Sequence, residues 1–426
     1  MGQAGNDLSV KELIVKYPDY PRITIIKLDT AYRGVQVAAA AVAQAEQDGA
    51  IFRAPEAKED DKGEGELVFG GAQFRDGSIV RGLEDSISVK KYHLQRIGNP
   101  YTLDIVDGKA WLLDGEKKVE PVFFTPVPQF YGKTTSRGIP MNKVVRGSSN
   151  VLGINVYNYC YFWKHKLACQ YCGSVQNFTT KNETHTEASL QDIYETVNEA
   201  LKEQGRWTSF AFIVGSDPQG ERPYDREVEE IIKVSRTLQR VFGKRPFPLR
   251  LISSAVPQDQ LLRYRDAGVT AIEPHLEVWD KQLFNIICPG KAKFFGWDYW
   301  VNNAIAGVEV FGRGNVCSQF VCGAELSQPH GFKDEEAALR SNFEGAAFFA
   351  RHGVTTSANI LRLAQGSLFY AQKQKHPSLE YVIRLTKGLH DIRRQYHLGV
   401  DCNDFKRCGI HPDTDLARLF NHEVEV

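Results

Sequence analysis

The sequence predicts an α/β chain: a partial (βα)6 TIM-like barrel with an additional N-terminal α+β domain and a short C-terminal extension. Three observations carry this. From residue 149 onward, apolar strand-like runs alternate six times with amphipathic helix-like segments, the pattern of parallel strands covered by outer helices. Six such units suit a partial barrel better than a closed eight-stranded one. Residues 1–140 do not follow the rhythm, so they form a domain of their own.

The first barrel strand is read over 151–157, an apolar run of Val, Leu, Ile and Val. A helix over 187–204 carries Leu190, Ile193, Val197 and Leu201 on one stripe. The second strand covers 209–215. A helix over 226–242 carries Val228, Ile231, Ile232, Leu238 and Val241. The third strand covers 247–256, and a helix over 258–267 is stopped by Gly268. The fourth strand covers 270–278. A helix over 297–311, a strand over 315–322, a helix over 333–352 ending at Gly353, a strand over 354–361 and a helix over 377–396 complete the units.

In the N-terminal domain the alanine-rich stretch 31–48 reads as a helix, and 58–66, charged and glycine-containing, as an exposed loop. Residues 101–124 read as a hairpin or meander with turns at Asp107-Gly108 and Asp114-Gly115. The domains are therefore 1–140, 149–398 and a tail, 399–426, with the first boundary falling within 132–150. The N-terminal domain is expected to serve as a lid or substrate platform.

The 426 residues hold 52 basic and 52 acidic side chains, so net charge is zero and no broad footprint for nucleic acid or anionic membrane follows. Residues 1–11 are polar and lack the apolar core of a secretory signal. No apolar run is long enough to span a bilayer. The chain has eight cysteines, three of them clustered, which fits metal chemistry in a reducing compartment rather than a disulfide framework. A cytoplasmic location is expected.

The clustered thiols are Cys160, Cys169 and Cys172, on the loop after the first strand, where a barrel places its active groups. Three thiolates there can hold three irons of a [4Fe–4S] cluster and leave the fourth open. The same loop with His165 added offers four zinc ligands. In the fourth strand Glu273, His275 and Glu277 alternate, so all three are expected on one face. Three polar side chains would be costly on a dry face, which points to a ligand-lined interior.

The loop resembles that of the radical S-adenosylmethionine (SAM) enzymes. Their usual signature spaces three cysteines by three and two residues, with an aromatic before the last. Gln170-Tyr171-Cys172 matches the second half, Tyr171 being the aromatic. The first gap departs, with eight residues in place of three.

The resemblance implies that Cys160, Cys169 and Cys172 bind a [4Fe–4S] cluster whose fourth iron chelates SAM. Reductive cleavage of SAM to a 5′-deoxyadenosyl radical, which abstracts hydrogen from an organic substrate, is the implied function. By the same resemblance Gly215, Ser216 and Asp217 stand at the Gly-Gly-Glu-like element that binds the methionine amino group. His275 and Glu277 match the polar pair that binds the ribose in biotin-synthase-like members. Val321 and Gly323 fall where the fifth strand packs on adenine.

In those members the equivalent of Cys317 ligates a second, sulfur-donating cluster. Here the second and third strands lack the companion cysteines, so Cys317 reads as a small buried residue. Cys288, Cys402 and Cys408 either hold an auxiliary cluster or are ordinary thiols. The expected partners are a small-molecule substrate, with peptide or RNA left open, an electron donor such as flavodoxin or ferredoxin, and no membrane. A zinc-binding barrel hydrolase and a non-catalytic metal-binding module are the alternatives. Within the family, aminocarboxypropyl or sulfur transfer also stays open.

Overall fold

A computed structural model of the chain describes residues 8–49, 66–69, 74–75, 78–79, 87–90, 100–124, 127–148, 151–157, 160–173, 189–243, 247–361, 363–364, 366–398 and 416. Contacts gather them into two units. One draws on the ranges 1–128, 377–387 and 405–426, the other on 129–376 and 388–404. Cys402, Cys408 and nearly all of the 58–66 stretch lie outside the described residues.

In the first unit, helix Val10–Lys16 starts from a capping box: the Ser9 hydroxyl accepts the Glu12 N–H and the Glu12 carboxylate accepts the Ser9 N–H. The helix expected over 31–48 is instead two helices, Arg22–Arg33 and Ala39–Gln47, separated by strand β1, Val35–Val37. Gly34 at φ 80° ends the first helix. The two valines that follow then pair in parallel with β6.

The remaining strands of this unit are β2 (Glu66–Phe69), β3 (Phe74–Arg75), β4 (Ser78–Ile79), β5 (Ile87–Lys90), β6 (Tyr101–Val106), β7 (Lys109–Asp114) and β8 (Lys117–Phe124). The sheet runs β1-β6-β7-β8-β2-β5, and β3 pairs with β4. The meander expected over 101–124 is present. Its first turn is Asp107-Gly108, both at positive φ, and its second falls on Gly115-Glu116, between the paired Asp114 and Lys117. Ile26, Val35, Ala41, Ala45, Tyr101, Leu103, Leu112 and Val122 form a buried core cluster here.

The second unit carries β9 (Arg146–Ser148), β10 (Val151–Tyr157), β11 (Ser209–Val214), β12 (Leu249–Ser253), β13 (Ala271–Pro274), β14 (Cys317–Cys322) and β15 (Thr355–Ile360). The short β9 lies antiparallel to β10. From β10 to β13 neighbours are parallel and in chain order. Parallel bridges Ile272–Val316 and Glu277–Phe320 carry the order on to the parallel pair β14-β15. All six expected strands are therefore present, in sequence order.

The two strand faces differ. Phe210, Phe212, Leu249 and Leu251 are buried on one. Ile272, on the same face, sits so close to Gly307 of helix Trp297–Phe311 that a Cβ there would fall 2.8 Å from its Cδ1. This is the helix-covered face. The other presents Ala211, Ile213, Arg250, Glu273, Cys317, Gln319 and Ser357. Ile213 is 45% exposed while Phe212 beside it is fully buried, so the polar face opens at that level.

Candidate metal and cofactor site

The thiols stand at the carboxyl ends of the strands. Cys160 follows β10 and flanks the short helix Tyr161–Lys164. The Tyr161 N–H donates to the Ser216 carbonyl at 2.8 Å, which ties the cysteine loop to the turn after β11. Burial, then the neighbouring Cys169, push the Cys160 thiol up to about 12; the N–H groups of Ser216, Phe162 and Trp163 oppose that rise.

The eight residues between Cys160 and Cys169 make one helical turn and a reversal through Lys166, at φ 57°. Phe162 is buried against Phe294, with ring centroids 5.6 Å apart. The long first gap thus builds a small apolar foot. That foot docks on the turn after helix Lys281–Ile287, where the Gly290 N–H donates to the Leu167 carbonyl at 3.0 Å.

Gln170 extends the docking. Its N–H donates to the Ile287 carbonyl at 2.8 Å, and its side-chain amide to the Ile286 carbonyl at 2.7 Å. The Cys172 N–H closes a tight turn onto the Cys169 carbonyl at 2.9 Å. Cys288, between two short helices that the sequence did not signal, is fully buried.

The Cys288 thiol is hydrogen-bonded to Cys169. That bond, with the nearby Lys291 ammonium, holds the Cys169 thiol below its ordinary range. Burial and the charge of Cys169 hold Cys288 well above it. Tyr171 is raised by burial and by the charges of Cys169 and Glu277 around it.

Ser216 and Asp217 belong to a second hydrogen-bonded unit. Glu227, fully buried in the first turn of helix Asp225–Phe242, accepts the Asp217 N–H at 3.1 Å and the Ser254 N–H at 2.9 Å. It also accepts the Ser254 hydroxyl at 2.9 Å. One carboxylate thereby joins the loops after β11 and β12. The Asp217 carboxylate pairs with the Arg226 guanidinium at 3.3 Å. Gly215, between strand and turn, is half-buried.

The fourth strand departs from the expected alternation. It ends at Pro274, and Glu277 takes φ 76°, a left-handed conformation that turns its side chain out of the strand series. Its carboxylate meets Lys291 at 2.8 Å, and Lys291 also donates to the His275 carbonyl at 2.7 Å. The Lys291 ammonium lies 4.0 Å from the Trp300 ring centroid. Burial lowers the ammonium's proton affinity, and the charges of Glu277 and Cys169 more than restore it.

Glu273 and His275 do come together. Glu273 lies 3.0 Å from Arg250, takes a hydrogen bond from the Gln319 amide at 3.3 Å and stands 3.4 Å from His275 Nε2. His275 Nδ1 accepts the Gln319 backbone N–H at 3.2 Å, so Nε2 carries the hydrogen. Glu277 bridges to β14 through its backbone: its N–H donates to the Gln319 carbonyl at 3.0 Å and its carbonyl accepts the Val321 N–H at 2.8 Å. Val321 is buried. Gly323 is left-handed, φ 96°, and its N–H donates to Glu325 at 3.0 Å. Cys317 is buried and 3.5 Å from the Ser357 hydroxyl.

Sequence reasoning missed Lys291, Arg250, Gln319 and Glu227. Arg250 had a signal, as the lone charge between Leu249 and Leu251. The others acquire their place only through tertiary packing.

Among the described residues, no three His, Cys, Asp or Glu side chains gather closely enough to share one metal ion. A zinc site needs four donors about 2.0–2.3 Å from one point. Instead His165 stacks on the Tyr161 ring at 4.0 Å, away from that role. A four-iron cluster places each thiolate on a different iron, which asks for three thiols around a larger volume.

No family model matches the chain. A stretch of 76 residues, 17% of the chain, is 29% identical to bacteriochlorophyllide c C-7(1)-hydroxylase of Chlorobaculum limnaeum; the match spans 19% of that protein's length. Among solved structures, methylornithine synthase is similar over 57% of this chain and 68% of its own, at 16% identity and TM-score 0.40. The FeFe-hydrogenase maturase from Carboxydothermus hydrogenoformans is similar over 58% of this chain and 52% of its own, at 15% identity and TM-score 0.44. A radical SAM methyltransferase from Sphaerobacter thermophilus is similar over 97% of this chain and 100% of its own, at 14% identity and TM-score 0.38.

Proposed function

We propose that the chain is a radical SAM enzyme built on a partial barrel of the six parallel strands. Cys160, Cys169 and Cys172 would hold a [4Fe–4S] cluster. The observation that carries this is the docking of the cysteine loop: it is hydrogen-bonded both to the turn after β11 and to the 286–290 turn. That docking ties the cysteine loop to Ser216 and to the turn just before Lys291, which in turn holds Glu277. When bound, the cluster and SAM supply reductive cleavage to a 5′-deoxyadenosyl radical that takes hydrogen from substrate.

The donor set suits that group. Cys169 favours the thiolate that iron requires. The Ser216 N–H is directed at the Cys160 sulfur. Lys291 holds the Glu277 carboxylate in place, and His275 is fixed by Gln319 and Glu273, so the pair expected at the ribose is oriented before SAM arrives. Val321 offers an apolar wall at the end of β14 for the adenine ring. The polar strand face, with Arg250, Glu273 and Gln319 at its floor and Ile213 open above them, is where an organic substrate would present its C–H bond and where water must be kept out. A small molecule with polar groups is the substrate class that such a floor favours.

Anaerobic reconstitution with iron and sulfide tests the assignment. The wild-type chain should bind about four irons per chain, and Cys160→Ala, Cys169→Ala and Cys172→Ala should each lose them. A colourless protein that instead takes up one zinc contradicts it.

A further inference from the structure

We propose that Glu227 is a positioning residue for the ammonium end of SAM: through the Ser254 hydroxyl it fixes the direction in which the Ser216 hydroxyl points. The inference rests on the radical SAM reading above and on its expectation that Ser216 and Asp217 meet the methionine amino group. Glu227 itself lies outside every motif of that reading.

The hydrogen bonds form one chain. Glu227 sits in the first turn of helix Asp225–Phe242 and is fully buried. Its Oε1 accepts the Ser254 N–H at 2.9 Å. Its Oε2 accepts the Asp217 N–H at 3.1 Å and the Ser254 hydroxyl at 2.9 Å. The Ser254 oxygen lies 2.9 Å from the Ser216 oxygen. Ser254 is buried, whereas Ser216 is half-buried on the turn after β11. Backbone bonds hold that turn from two sides: the Asp217 N–H on Glu227, and the Tyr161 N–H on the Ser216 carbonyl at 2.8 Å. The oxygens are therefore fixed, and the variable is the direction of the hydrogens between them.

A serine hydroxyl donates one hydrogen and accepts at its lone pairs. An ionised Glu227 can only accept, so the Ser254 hydrogen goes to it and the Ser216 hydrogen goes to Ser254. The Ser216 lone pairs are then left for a donor. A protonated Glu227 donates to Ser254, the chain reverses, and the Ser216 hydrogen points away from Ser254. An ammonium group brings only donors. It meets an acceptor in the first state and an opposing hydrogen in the second. The positive charges of SAM also favour an ionised carboxylate nearby. Both effects have one sign: ionised Glu227 binds SAM more tightly.

Burial pushes this carboxyl up to about 7, which puts the change within reach of measurement. The other titratable groups around it are the Asp217 carboxylate, paired with Arg226 at 3.3 Å, and the phenols of Tyr224, Tyr264 and Tyr299. Burial and the charge of Glu227 raise all three phenols, so they keep their protons near neutral pH.

The test is equilibrium dialysis of SAM against the reconstituted full chain at pH 6 and pH 8, with iron content and circular dichroism measured on each sample. Glu227→Gln cannot titrate, and comparison with it cancels the titrations of SAM and of His275. The ratio of wild-type to Glu227→Gln affinity should rise about three- to tenfold from pH 6 to pH 8, the worth of one hydrogen bond. Ser254→Ala keeps the carboxylate and breaks the chain, so the ratio of wild-type to Ser254→Ala affinity should rise in the same direction. A Glu227 that served only to hold the fold would leave both ratios flat. A flat ratio for either variant overturns the proposal while the cluster assignment stands. Where Glu227→Gln does not fold, Ser254→Ala alone decides. A wild-type chain that takes up no iron, or no SAM once loaded, removes the underlying assignment as well.

Discussion

Glu227 gives the folded chain a pH dependence that can be worked out from its surroundings. Burial pushes its carboxyl up from an ordinary 4.5 to about 7, against the lowering effect of the hydrogen bonds from Ser254 and Asp217. The folded state then binds this proton more tightly than the unfolded state. The contribution favours folding most below pH 4.5, falls as pH rises toward 7, and is level above that. A shift of that size corresponds to about 3 kcal/mol.

Glu227→Gln removes the titration and keeps the shape. Its amide nitrogen faces donors that the carboxylate accepted, at a cost of about 1–3 kcal/mol at every pH. The difference in unfolding free energy between wild type and Glu227→Gln should therefore shift by about 2.5 kcal/mol between pH 5 and pH 8, in the variant's favour at the higher pH. Urea unfolding followed by circular dichroism across that range measures it. Comparing the two proteins cancels the other titrating groups. Parallel stability profiles for wild type and variant would refute the reasoning.

The remaining predictions concern the loop, the floor and the core. Gly290→Ala should push the cysteine foot off its docking turn, lowering iron uptake and costing about 1–3 kcal/mol, read by iron content and thermal melting. Glu273→Ala removes the carboxylate 3.0 Å from the buried Arg250 and should destabilise by about 3–5 kcal/mol; a urea midpoint unchanged from wild type would argue against a dry floor. Phe212→Ala, on the helix-covered face, should cost about 3–5 kcal/mol by the same measurement and leave the thiols' iron uptake intact. His275→Ala should weaken SAM binding to the reconstituted protein by at least about tenfold, roughly 1.4 kcal/mol, in equilibrium dialysis.

The six parallel strands could be read from the sequence because each is a short apolar run of fixed period, bounded by glycine, proline or polar turns. The helices between them were equally plain where one stripe of Val, Leu and Ile ran through, as in Asp225–Phe242. The pair Lys281–Ile287 and Pro289–Phe294 escaped because Pro289 breaks the period and neither piece completes a stripe. The stretch 31–48 misled in the opposite way. Its alanines suit a helix throughout, and the break depends on Gly34 and on β6, which lies more than sixty residues further along the chain.

At the site, the three cysteines and the polar strand ends were visible as residue types. Their couplings were not. The left-handed turn at Glu277 moves its carboxylate from the strand face to Lys291, and that follows from a tertiary ion pair rather than from alternation. Glu227 reads locally as an ordinary helix-start carboxylate; only packing brings it under two strand-end loops.

The most direct measurement is the fate of SAM. The reconstituted chain, incubated anaerobically with SAM and dithionite and analysed by mass spectrometry, should form 5′-deoxyadenosine and methionine, with neither formed by Cys172→Ala. A chain that binds its iron yet leaves SAM intact, or cleaves it equally well without Cys172, would contradict a radical SAM site at Cys160, Cys169 and Cys172.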